Sequence, residues 1–274
     1  MTVRLTLAML VLLVGVFAPS DAMAAKFVAG LTSLKVNARS GDVSTHVYQL
    51  TLDKNERPTR FKFRVEDWWR SEDGNQSFYA APGTLNRSCG NWVTLNPVEA
   101  VVEPGETLTT RLTVAVPAEV GGGGYWCVLT VDEVPDPLNI PEGIGATFAA
   151  SVSTGIFVYI EPVKRAVEFV DVSVGGTEAV LTLRNEGNSP VGIEGRFEFF
   201  RPGELGVVAA LTIPRMTLLP EPIAVGTVRL QLPPPSVLPP GRYVVRAIID
   251  IGVDHYLGIE RELDLGRDVA QVTR

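Results

Sequence analysis

Few side chains in this sequence are of the types that do chemistry, and those few are poorly spaced for it. The two histidines, His46 and His255, lie far apart. A histidine metal site or a nucleophile–base triad needs a close partner set, and neither histidine has one nearby in sequence, so both read as surface or strand-end residues. Glu66 and Asp67 are an adjacent acid pair, but neighbours on a strand point to opposite faces and do not share a substrate. Asp132, Glu133 and Asp136 offer oxygens without the spacing of a calcium loop, and read as a solvated loop. The glycines at 121–124 open a strand, not the helix N-terminus that would hold a phosphate; they read as a hairpin turn. No Gly-x-Ser-x-Gly, His-Glu-x-x-His or Walker loop occurs. The expectation is a protein that is not an enzyme and holds no metal or cofactor.

Cys89 and Cys127 are the only cysteines. In an exported chain an isolated pair is most simply one disulfide, the alternative being two unpaired thiols. Export itself is read from the N-terminus. Arg4 precedes an apolar run over residues 5–18, followed by Pro19, Ser20, Asp21 and the small-residue site Ala22-Met23-Ala24, the pattern of a secretory signal peptide. The run is short for a membrane span, which needs about 20 residues. Residues 1–25 are therefore expected to be removed, with no membrane span after cleavage, leaving a periplasmic, secreted or cell-surface product. The formal charge of −7 is spread without a basic footprint, which excludes nucleic acid as a natural partner.

The elements that must position any site are strands. The clearest are residues 97–132, where Pro104-Gly105 opens a strand with Leu108, Thr110, Leu112, Val114 and Val116 on one face. Pro117 stops it for want of an N–H. After the glycines, Tyr125, Cys127, Leu129 and Val131 line the inner face of the next strand, with Trp126 pointing away. Upstream, residues 31–36 form a first strand. Tyr48, Leu50 and Leu52 share a face, as do Phe61, Phe63 and Val65. Asp67-Trp68-Trp69 closes that strand, and residues 70–90 read as an irregular polar excursion. Residues 146–160 alternate as a late strand before Glu161-Pro162. The same order recurs afterwards: Leu181 and Leu183, Phe197 and Phe199, Val228 to Pro233, Gly241 with Tyr243, then Ile249-Asp250, with a last strand at 257–265. Shared order points to a duplication. The expected fold is all-β, two tandem immunoglobulin-like β-sandwiches over residues 26–160 and 163–266.

This pattern resembles the periplasmic pilus chaperones (PapD-like proteins). The features that carry it are the turn and strand from Ser40-Gly41-Asp42 to Leu52, Pro58 with Phe61-Lys62-Phe63-Arg64-Val65, Trp92 to Pro97, Pro104-Gly105-Glu106, Val116-Pro117, Gly124-Tyr125-Trp126, and the late alternating strand. The resemblance implies a non-enzymatic exported protein whose last domain-one strand pairs with a strand-deficient partner. It assigns Val152, Ile156, Val158 and Ile160 as the apolar knobs, and Lys35 as the stand-in for one of two basic residues that anchor the partner's terminal carboxylate in the interdomain cleft. No lysine lies between residues 146 and 160 to supply the other. The partner implied is an exported protein subunit or surface protein. A second reading is a structural or adhesive module that stacks sugar rings on Trp68 and Trp69.

Overall fold

The computed structural model describes residues 24–135 and 149–266. Nearly all of the expected leader, and most of the proline-rich loop that contains Asp136, lie outside the described residues. Ten strands build the first unit: β1 (Phe27–Ala29), β2 (Ser33–Ala38), β3 (Val43–Leu52), β4 (Thr59–Arg70), β5 (Ser77–Ala80), β6 (Val93–Asn96), β7 (Glu99–Val102), β8 (Thr107–Ala115), β9 (Gly123–Val134) and β10 (Ser151–Ile160). Seven build the second: β11 (Val167–Gly175), β12 (Glu178–Asn185), β13 (Val191–Phe200), β14 (Val207–Leu218), β15 (Val225–Gln231), β16 (Gly241–Asp250) and β17 (Leu257–Leu265). Among the described residues the only helical turn is a 3-10 turn at Gly90–Trp92, and no helix is long and apolar enough to cross a membrane.

Each unit is a pair of sheets. In the first, the order β1-β3-β8-β6 faces β2-β10-β9-β4-β5, with β7 also beside β4. In the second, β11-β12-β15 faces β14-β13-β16-β17. The strands bury alternate side chains because one face of each sheet meets the other sheet. Tyr48, Leu50, Leu52, Phe61, Phe63, Leu112, Val114, Leu129 and Val131 fill the first core. Leu181, Leu183, Phe197, Phe199, Tyr243, Val245 and Ile249 fill the second. The all-β, two-sandwich architecture expected from the alternation is what forms.

The duplication extends to single bonds. Tyr125 Oη donates to the Gly121 carbonyl at 3.0 Å, and Tyr243 Oη donates to the Pro239 carbonyl at 2.7 Å. Each tyrosine thus bonds four residues back, at the entrance of a central strand, which gives the polar tip of a buried ring a partner. Their ring neighbours differ: Phe199 stands edge-on to Tyr243 at 6.4 Å, whereas Tyr125 tilts against Trp92 at 4.6 Å.

Three local features depart from the alternation pattern. The strand expected at 31–36 is β2, and a short β1 precedes it: β1 pairs with β3, then after Gly30 the chain crosses to the opposite sheet, where β2 runs parallel to β10. Alternation shows which face of a strand is buried but not which sheet the strand joins. β4 does not end at Trp69 but runs to Arg70 and folds back as β5, Trp69 opposite Phe78. Residues 70–80 are therefore a hairpin rather than irregular chain; its polar composition reflects an exposed turn, in which Asp73 accepts bonds from Ser71 and Asn75. Finally, β9 is buried on both faces, because Trp126 is covered as fully as Cys127.

Cys89 and Cys127 form the expected disulfide, with Cα atoms 5.3 Å apart. It fastens residues 87–89 along β9, where Cys89 N–H donates to the Trp126 carbonyl and Trp126 N–H to the Arg87 carbonyl.

Candidate binding cleft

Trp126 marks where the two sandwiches meet. It lies outside both main cores, packed with Phe157 and with Leu219 of the second sandwich, and ringed by Trp68, Trp69, Leu85, Tyr159 and Ile223. Its Nε1 donates to the Trp68 carbonyl at 2.9 Å. Backbone contacts flank this cluster. Gly124 N–H donates to the Asn188 carbonyl at 2.9 Å, and Thr227 N–H on β15 donates to the Glu72 carbonyl of the β4–β5 turn at 2.7 Å. The glycines at 122–124 are there for close approach: a Cβ at Gly124 would lie 2.8 Å from Ser189 Cα, and one at Gly122 2.7 Å from Pro162 N. The expected hairpin turn is thus also a contact surface. Asn188 binds the linker, its Oδ1 accepting from Lys164 N–H at 2.7 Å and its Nδ2 donating to the Pro162 carbonyl at 3.0 Å.

Beside this junction opens a cleft of about 460 Å³ lined from both sandwiches. Three cations line it: Lys35 on β2, Arg70 at the end of β4 and Arg215 on β14. Strand alternation puts them there. Leu34 and Val36 point inward, so Lys35 points out beside Phe157. Arg70 is the last exposed residue before the hairpin turn, and Arg215 follows Pro214 where the β13–β14 register shifts. All three are exposed, and no carboxylate lines the cleft. Among the described residues the arginine ion pairs lie elsewhere, at Arg60, Arg64, Arg184, Arg196, Arg229, Arg246 and Arg261. Aromatic side chains form the rest of the wall. Trp68 stands edge-on to Phe157 at 6.4 Å. Tyr159 lies beneath the Arg165 guanidinium at 5.4 Å, and burial pushes its hydroxyl pKa up in spite of that cation.

The cleft and the late strand share residues. On β10, Gly155, Phe157 and Tyr159 face the cleft, while Ile156, Val158 and Ile160 point into the first core. The latter three were expected to be knobs offered to a partner. They are instead fully enclosed core residues, and residues 155–160 are paired on both sides, with β9 and with β2. Within β10 only residues 151–154 lack a strand partner on one side, because β2 begins opposite Gly155; of these Thr154 is buried, its hydroxyl donating to the Leu31 carbonyl at 2.9 Å. Val152, half-buried, lies in this open segment opposite Val131. Lys35 lies just past its end.

The remaining candidates have local roles. Trp69 stacks one face on Phe78 at 5.5 Å, and Trp68, half-buried and edge-on to Phe157, lines the cleft. Glu66 and Asp67 diverge as strand neighbours do. Glu66 pairs with Arg64. Asp67 is fully buried and accepts bonds from Leu85 N–H at 2.7 Å and from the Ser88 hydroxyl, which in turn accepts from Gly90 N–H at 2.9 Å. This carboxylate holds residues 85–90 and hence Cys89 in place. Asp132 pairs with Arg64 Nε at 2.6 Å and accepts from Ser151 Oγ at 2.7 Å. Glu133 Oε2 accepts from the backbone N–H of Ala25 and Ala150. His46 meets Ser44 and His255 meets Asp254, on separate sandwiches. Among the described residues no three metal-ligating side chains come together. Alternation did not reveal Arg70 and Arg215, since they are distant in sequence and share a site only through the packing of two sandwiches.

No protein-family description matches the chain, and no curated protein matches it. Among solved structures it is similar to a chaperone–tip adhesin complex of CFA/I fimbriae (TM-score 0.49, 11% identity, 87% of this chain and 99% of that one). It is also similar to the CsuC–CsuE chaperone–tip subunit complex of Acinetobacter baumannii (0.49, 16%, 87% and 98%). A third similar structure is the class 5 fimbrial chaperone CfaA (0.48, 10%, 87% and 99%).

Proposed function

We propose that this chain is an exported, non-enzymatic, pilus-chaperone-like protein that holds the C-terminal end of an extended partner polypeptide. The observation that carries the reading is the continuity of two features. The unpaired edge of β10 at residues 151–154 leads to the point where β2 begins, and that point borders a cleft with three cations and no acid. A partner strand running parallel to β10 would continue the line of β2 backwards. Its backbone would pair with the open edge, and its terminal carboxylate would arrive at Lys35, with Arg70 and Arg215 on the opposite walls. Arginine forks suit a carboxylate well. The protein's net charge of −7 makes this the local site where an anion is welcome. Residues 26–160 and 163–266 would act as separate folding units that create the cleft where they meet.

The test is recovery of exported proteins with the tagged chain from a periplasmic extract. The chain with Lys35→Glu and Arg215→Glu is expected to lose at least about tenfold of the recovered partner, as expected when like charges face each other in a binding site. Adding residues to the partner's C-terminus should weaken binding equally. Undiminished recovery in both experiments would refute the reading.

A further inference from the structure

A strand edge with unpaired N–H and C=O groups invites another strand, and exported β-proteins ordinarily blunt it with charge, brevity or cover. This molecule does so almost everywhere among the described residues. β1, β5, β6 and β7 are three or four residues long. β2 carries Lys35, β11 carries Glu168 and Asp171, and β17 carries Glu260, Arg261, Glu262 and Asp264. The outer edge of β15 is occupied where Thr227 N–H meets the Glu72 carbonyl.

β14 is the exception. It is the outermost strand of its sheet, paired with β13 alone. From 207 to 213 it reads Val-Val-Ala-Ala-Leu-Thr-Ile, with no charge, proline or glycine. Register shifts bracket it, but Ala209 to Ile213 pair in unbroken register with Phe199 to Gly195, about the length of an ordinary strand. Apolar side chains at its entrance are left in solvent, Leu205 at 98% exposure and Val207 at 49%. Only its far end is covered, where Met216 and Leu218 pack over Gly226.

We propose that two copies of this chain pair antiparallel along β14, joining their four-stranded sheets into one. A second copy fits for three reasons. Identical strands meeting antiparallel satisfy a two-fold axis, the commonest symmetry of soluble oligomers. The run carries no charge to repel its own image. The nearest charges beyond it are Glu204 before and Arg215 after, so antiparallel pairing sets the acidic end of one copy beside the basic end of the other, twice. On the outer face Ala210 and Thr212 are small and exposed, while Ala209, Leu211 and Ile213 continue the core face across the junction.

Sedimentation velocity of the mature chain over a concentration series tests this. The wild type is expected to reach twice the single-chain mass. The variant Ala210→Lys/Thr212→Lys and the variant Ala210→Glu/Thr212→Glu should each remain single, with dissociation constants raised at least about tenfold by facing like charges. Mixing the two variants should restore the double mass, a result that damage to the fold would not produce. Circular dichroism verifies folding; if a double variant unfolds, Thr212→Lys and Thr212→Glu alone, at an exposed position, replace the pair. A wild type of single mass at its highest soluble concentration would overturn the proposal. So would a lysine variant that still dimerises, or folded variants that stay single when mixed.

Discussion

Asp132 shows how one side chain can tie three strands together. It bridges Arg64 on β4 and Ser151 at the start of β10 from its own place on β9. Partial burial pushes its carboxyl pKa up, but the bonds from Arg64 and Ser151 more than offset this and hold it below the ordinary 3.8. A carboxyl depressed in the folded state stabilises the fold above its ordinary pKa, and that contribution is lost as pH falls through the depressed value. Half-exposed pairs are screened, so the expected loss in Asp132→Asn near neutrality is below about 1 kcal/mol. The gap between variant and wild type should close in acid. Urea denaturation at neutral pH and at a pH below the depressed value measures both; a gap that persists in acid would assign Asp132 a role other than its charge.

At the scale of elements, periodicity made the faces legible and left the edges hidden. Leu50 and Leu52, Phe61 and Phe63, and Tyr125, Cys127, Leu129 and Val131 fell on the faces their alternation indicates, because alternate side chains share a face and the apolar ones mark it in the residue types. Pairing partners are not written that way. Ile156 and Val158 alternate equally well whether they meet their own core or a guest, and the β2 strand that seals residues 155–160 belongs to a distant part of the chain. The cleft was half legible: Lys35 could be named, but Arg70 and Arg215 become its neighbours only through tertiary packing. Gly122–Gly124 were visible as a run, while their reason is the second sandwich pressed against them. Gly124→Val places a side chain where Ser189 Cα would be 2.8 Å from its Cβ. The crowding is expected to cost about 1–3 kcal/mol and to part the sandwiches. Small-angle scattering should show a larger radius of gyration than wild type, and an unchanged radius would mean that the junction yields elsewhere.

For the whole molecule, stability is organised as two cores with a smaller third cluster between them. The disulfide belongs to the first core and closes a loop with a sequence separation of 38. Replacing both cysteines by alanine should lower unfolding free energy by about 3–4 kcal/mol through the unfolded chain's regained freedom. The first sandwich should bear that loss while the second melts as before, giving two transitions in calorimetry where the halves were closer together. A uniform downward shift of a single transition would instead show that the halves unfold as one.

The crossing of the opening chain from one sheet to the other also has a metrical meaning. β2 takes over beside Gly155, so a strand added along β10 in the way proposed above would meet an end-stop and be halted at a fixed residue, whatever its length. Such a visitor would be measured from its terminus, and two guests of unrelated length but like endings would be held in the same alignment.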